Sequence, residues 1–321
     1  MKILHAGIFS PHVIGMMRLL WRCDQTLMQE VVLPGQVPML DPDLVFCHGF
    51  HEYPGEVERY LSWGVPVVAR PWNDRWLSRP GQREQVLGLL PRLSLVVGSP
   101  FSKLYQEWAF GEWAFNGVRG VPWCDVTTLV DTDVFKPVDG LQPAGSEIRF
   151  FAARLIERDP EGVYWGDEIR RAMAGLELYT VSGHASPNQM ADQMRRSVVV
   201  LSLCGTEWGP SDTSLEAIFC GKVPVLADTP ANRVHFPDGI GARFATRDPH
   251  SIRQACIEVL EMSAEERARE NAVARERFAG WTLQAQAERI GSAVLGCVEP
   301  IERMAAHIAQ RRGWTREVTR G

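Results

Sequence analysis

No stretch of this sequence stays apolar long enough to cross a bilayer. The opening Met1-Lys2-Ile3-Leu4-His5-Ala6-Gly7 is apolar only briefly, with no small-residue cleavage site after it. The expectation is a cytoplasmic chain with no integral membrane segment, at most peripheral to a membrane. Positive charge is also in short supply. A net charge of -5 and a pI near 5.9 leave no overall basic field to draw the protein onto nucleic acid or anionic lipid. The seven cysteines (Cys23, Cys47, Cys124, Cys204, Cys220, Cys256 and Cys297) show neither metal-ligand spacing nor a disulfide framework and read as buried thiols. Short-period repeats and low-complexity tracts are absent. With 45% hydrophobic and 23% charged residues, disordered and fibrous classes are excluded.

What is present is a chain of 321 residues, enough for two domains of roughly 150 each. Short apolar runs alternate with helical stretches, the pattern of α/β layers built on parallel sheets. The first half predicts strands over 2–6, 31–33, 44–47, 65–69 and 93–98, with helices over 15–28, 54–63 and 101–108. The second half predicts strands over 148–152, 176–181, 198–203, 223–227 and 242–244. Residues 131–146, with two prolines, two glycines and few apolar side chains, predict an interdomain linker. The expected domains are therefore 1–135 and 136–298. From Pro249 the chain turns helical, and 264–277 places Glu and Arg at spacings of three and four, a solvated helix face. A last helix over 299–321, ending in a basic segment, is expected to return to the first domain.

Chemistry concentrates in residues 197–228, which read strand, polar loop, helix, strand. A helix N-terminus then follows the carboxyl end of a buried strand, where ligands of doubly wound sheets sit and where unpaired N–H groups favour an anion. Ser211, Thr213 and Ser214 lie at that start; they can cap the helix and can also let phosphate oxygens approach the backbone. Glu216, one turn further in, suits two vicinal hydroxyls, since an ionised carboxylate accepts from both, and this points to a ribose. Glu207, in the preceding loop, can accept from sugar hydroxyls.

The run from Glu207 through Leu215-Glu216-Ala217 to Cys220-Gly221-Lys222-Val223-Pro224-Val225 resembles the signature of retaining glycosyltransferases of the GT-B fold, family 4. Residues 130–137 (VDTDVFKP) resemble that family's interdomain segment, and Arg154-Leu155 its Gly-Arg-Leu element. The resemblance implies two Rossmann-like domains facing each other across a cleft, with Glu216 on the nucleotide ribose and Glu207 on the donor sugar. It also implies Arg154 and a following cation on the donor diphosphate, with no metal and no further cofactor. A guanidinium at a strand end can pair bidentately with phosphate oxygens and take a metal's place. The chain departs from the pattern twice. Eight residues rather than seven separate the two Glu, and Asp159 occupies the family's Lys position, leaving Arg158 one place early as the second cation.

In the first half, Gly7 and Ser10 follow the first strand in a loop suited to the donor phosphates, without the family's paired glycines. His48, and Asn73 with Asp74, follow later strands and are expected on the acceptor side; a buried, satisfied histidine and a plain turn are the alternatives. The implied function is transfer of a sugar from a nucleotide-diphosphate sugar to an acceptor hydroxyl with retention. Glycan, lipid-linked glycan, small metabolite and modified DNA base all stay open as acceptors. A sugar-nucleotide epimerase or phosphorylase on the same fold, and a degenerate sugar-nucleotide or glycan-binding protein, are the competing readings.

Overall fold

The computed structural model describes residues 1–7, 11–71, 80–98, 122–125, 129–137, 148–152, 165–180, 185–204 and 211–298. The chain forms two compact units, residues 1–127 with 286–321, and residues 128–285.

The first unit contains β1 (Lys2–Ala6), α1 (Pro11–Cys23), β2 (Met28–Val32), β3 (Leu44–His48), α2 (Pro54–Leu61), β4 (Val67–Arg70), α3 (Pro80–Leu89), β5 (Leu95–Gly98) and β6 (Trp123–Asp125). They make a six-stranded sheet in the order β2-β1-β3-β4-β5-β6, every neighbouring pair parallel. β3 and β4 are buried at every position, which is why they read in the sequence as unbroken apolar runs. Leu4, Ala6, Val45, Cys47, Val67 and Ala69 pack on one face against Val57 and Tyr60 of α2 and Val86 of α3.

The second unit contains β7 (Ile148–Ala152), α4 (Gly166–Ala172), β8 (Leu178–Thr180), α5 (Pro187–Arg196), β9 (Ser197–Ser202), α6 (Asp212–Phe219), β10 (Pro224–Ala227), α7 (Pro230–His235), β11 (Arg243–Ala245), α8 (Pro249–Glu261) and α9 (Ala264–Arg277). Its five-stranded parallel sheet runs β8-β7-β9-β10-β11. Strand for strand this repeats the first unit: second, first, third, fourth, fifth. The order reverses between the first and third strand in each sheet, so each has a switch point, the place where doubly wound sheets bind ligands. Local sequence starts the helices. Ser186 and Ser263 form capping boxes with Gln189 and Glu266, and Asp248 caps α8 ahead of a proline.

Several expectations need correction. The helix expected over 15–28 starts at Pro11 and ends at Cys23, because Asp24 accepts from the Thr26 backbone and hydroxyl in a tight turn, and Met28 opens β2 instead. β6 was not expected. Cys23 is exposed and Cys297 half-buried, while the other five thiols are buried; all seven are free.

Residues 131–137, read as linker, pack into the second unit. Val130 and Phe135 are buried in its core, and Arg195 donates to the Val134 and Lys136 carbonyls at 2.7 and 3.0 Å. Val130 forms a parallel bridge with Thr282. Lys136, the expected boundary, thus lies inside the second unit. The last described helix, α10 (Leu283–Leu295), belongs to the first unit from Gln286 on, and the Cys23 thiol contacts the Ala287 carbonyl at 3.0 Å. The expected helices over 101–108 and 299–321 lie outside the described residues.

Candidate functional sites at the two switch points

In the second unit the switch point lies between β7 and β9, whose ends are in register at Ala152 and Leu201. Ser202 is the last residue of β9. Ser211 caps α6, accepting from the Ser214 backbone N–H at 3.3 Å. The hydroxyls of Ser202, Ser211 and Ser214 close a triangle with edges of 2.7, 3.0 and 2.9 Å. This ring ties the start of α6 to the strand end and sets where the helix's unpaired N–H groups begin. Ser214 is buried at 1% exposure and its hydroxyl is engaged inward, so Ser211 and Thr213, both half-buried, are the hydroxyls nearer solvent. Glu216 is half-buried on the second turn of α6, between the buried Leu215 and Ala217. Arg154, Arg158 and Glu207 lie outside the described residues.

Sequence reasoning missed Ser202. Its partners are nine and twelve residues away and meet only because α6 starts over the end of β9.

In the first unit the switch point lies between β1 and β3. Gly7 sits just past β1 with φ +135°, a conformation that disfavours side chains, and any Cβ there would collide with the His48 carbonyl oxygen. Glycine here lets the backbone at residue 7 lie directly against the end of β3. His48, the last residue of β3, is 1% exposed. Its Nε2 lies 3.0 Å from Nδ1 of His5, whose own Nε2 lies 2.8 Å from the Gln29 amide oxygen. The buried-histidine alternative therefore describes His48 as the structure places it. It also lines a pocket with Gly7, Phe50, Tyr53, Glu56 and Tyr60. In that pocket the Glu56 carboxylate lies 2.8 Å from the Arg59 guanidinium, and burial raises the phenols of Tyr53 and Tyr60 above their ordinary range. Burial also lowers the His5 imidazole to about 4, against a smaller opposing effect of its bond to Gln29. His5 was not singled out from the sequence. Ser10, Asn73 and Asp74 lie outside the described residues.

Among the described residues no group of three His, Cys, Asp or Glu is placed to hold a metal ion, and no helix is long and apolar enough to cross a membrane.

Two parallel doubly wound units of the same strand order are the architecture of the GT-B glycosyltransferases, and solved structures bear this out. The chain is similar to sucrose-phosphate synthase from Thermosynechococcus elongatus, with TM-score 0.67 and 8% identity over 96% of this chain and 100% of that one. It is similar to HepE from Anabaena in complex with UDP and glucose, with TM-score 0.66 and 14% identity over 92% and 100%. A UDP-forming trehalose-phosphate synthase from Burkholderia vietnamiensis gives TM-score 0.62 and 11% identity over 92% and 100%. No family model and no curated protein matches the sequence. The shared property is the fold.

Proposed function

We propose that the chain is a retaining, metal-independent glycosyltransferase of the cytoplasm, moving a sugar from a nucleoside diphosphate sugar to an acceptor hydroxyl. The observation that carries this reading is the position of Glu216, one turn inside the helix that starts at the second sheet's switch point. A carboxylate there has the reach to accept from the two hydroxyls of a ribose while a diphosphate lies against the helix start.

In the proposed reaction the bond from the anomeric carbon to the diphosphate oxygen breaks and negative charge grows on the leaving group. Arg154 and Arg158, with the unpaired N–H groups at the start of α6 and the hydroxyls of Ser211 and Thr213, counter that charge, while Ser214 braces the helix start from within. Glu207 holds the donor sugar, and Gly7 and Ser10 make room for the phosphates. The acceptor, for which His48, Asn73 and Asp74 are the candidate contacts, attacks from the face the diphosphate leaves, its oxygen bonding to the anomeric carbon as its proton passes to the departing diphosphate. The second unit holds the nucleotide in this reading, and the first supplies the acceptor side. Because HepE is known in complex with UDP-glucose, that sugar nucleotide is the first donor to try.

The test is incubation of the full chain with UDP-glucose and sugar nucleotides of other bases, following nucleoside diphosphate release and the anomeric configuration of any product. Release accelerated by an acceptor, with retention, is expected. An altered sugar nucleotide without transfer would instead make the chain an epimerase, and binding without release a sugar-nucleotide-binding protein.

A further inference from the structure

The hydroxyls of Ser202, Ser211 and Ser214 each carry one hydrogen and two lone pairs. Ser214 donates its hydrogen to Ser202 at 2.9 Å, and this orders the rest of the ring. With that hydrogen spent, the 3.0 Å edge between Ser211 and Ser214 is a bond only when Ser211 donates. Ser211 then accepts across the 2.7 Å edge, and Ser202 is the donor there. The hydrogens therefore run one way, from Ser202 to Ser211, on to Ser214 and back to Ser202.

Ser211 Oγ also takes the backbone N–H of Ser214 at 3.3 Å. Both of its lone pairs are thus filled from within, one from the end of β9 and one from α6. What this hydroxyl has left to offer a ligand is its hydrogen. Rotation about one torsion carries that hydrogen from Ser214 to an outside oxygen, and the bonds from Ser202 to Ser211 and from Ser214 to Ser202 stay in place. Ser202 and Ser214 are 7% and 1% exposed while Ser211 is half-buried, so Ser211 is the member of the ring nearest to solvent.

We propose that Ser202 is a positioning residue of the donor site: its bond to Ser211 pins that hydroxyl to the end of β9 with the hydrogen as the part that turns to a phosphate oxygen. Without the pin, Ser211 is free to meet the anion with a lone pair, which repels it. The ligand rests on the transferase reading; the order of the ring does not.

Titration of the full chain with UDP and with uridine tests it, or with the diphosphate and nucleoside of whichever base binds. Ser202→Ala should bind the diphosphate about tenfold more weakly and the nucleoside as the wild type does. A merely structural loss would shift α6, and Glu216 with it, and so weaken both ligands. Ser202→Thr, which keeps the hydroxyl on a strand suited to β-branched residues, should restore affinity. In a Ser211→Gly background, Ser202→Ala should cost nothing further, since Ser202 acts through Ser211. Unchanged diphosphate affinity in a folded Ser202→Ala, equal losses for both ligands, or a full further loss in the Ser211→Gly background would overturn the proposal alone. If Ser202→Ala does not fold, Ser202→Cys, close in shape but a weak donor, carries the same test. Failure of every nucleoside diphosphate to bind would overturn the transferase reading and this proposal together.

Discussion

Burial holds two imidazoles of this chain uncharged. His5, fully enclosed by the first sheet, and His235, whose ring meets Trp281 edge-on at 5.1 Å, are both lowered to about 4 because a charged ring would lose its hydration. In the unfolded chain both take up protons near pH 6.5. Between those values the unfolded state binds more protons than the folded one. The stability each ring contributes is therefore complete above about pH 6.5 and is lost as the pH falls toward 4. For His5 the full window corresponds to about 3 kcal/mol. Asp228 and Glu270, whose carboxyls are held below their ordinary range by hydrogen bonds from Arg233 and Arg243, lose their contribution only in more acidic solution. Urea unfolding followed from pH 7.5 to 5 should show stability falling, and falling less steeply in His5→Phe. A flat profile across that range would mean that the histidines are not held neutral.

At the scale of elements, the segment before the second sheet shows what composition can and cannot say. Prolines and glycines made residues 131–146 look like free linker, yet the first part is seated on the second unit through side chains far away in sequence. Arg195, with 13% of its side chain exposed, spans two backbone carbonyls, and the Lys222 ammonium donates to the Arg195 carbonyl at 2.7 Å. Burial lowers Lys222 to about 8. Arg195→Ala is expected to destabilise the chain by about 2 kcal/mol, from two charge-assisted bonds lost, one of them at a partly buried carbonyl. Arg195→Lys should recover only part of this, since one ammonium cannot reproduce the planar fork. Urea unfolding reads the loss, and faster amide exchange at Val134 and Phe135 locates it. Strands buried on both faces were legible because they are continuous apolar runs, as in β3. The hydroxyl ring of Ser202, Ser211 and Ser214 and the bonds of His5 to Gln29 and His48 were not legible, because register between separate elements creates them. The placement of Ser211 and Glu216 on the helix after β9 was, because strand, loop and helix follow one another along the chain.

At the scale of the whole molecule, two units repeat one strand order: Gly7 and His48 stand at the switch point of the first, and α6, which carries Glu216, starts from Ser211 at that of the second. The chain leaves the second unit beside its point of entry, for Val130 and Thr282 bridge and the Leu283 N–H donates to the Val130 carbonyl at 2.8 Å. Placing the nucleotide on the second unit makes one carboxylate answerable for the ribose. The direct measurement is titration calorimetry of nucleoside diphosphates, beginning with UDP, against the wild-type chain and Glu216→Ala. One nucleotide should bind, and the variant should bind it ten- to a hundredfold more weakly, about 1.5–3 kcal/mol, with a melting temperature close to wild type. Equal affinity in a folded Glu216→Ala, or no binding of any nucleoside diphosphate, would contradict the account.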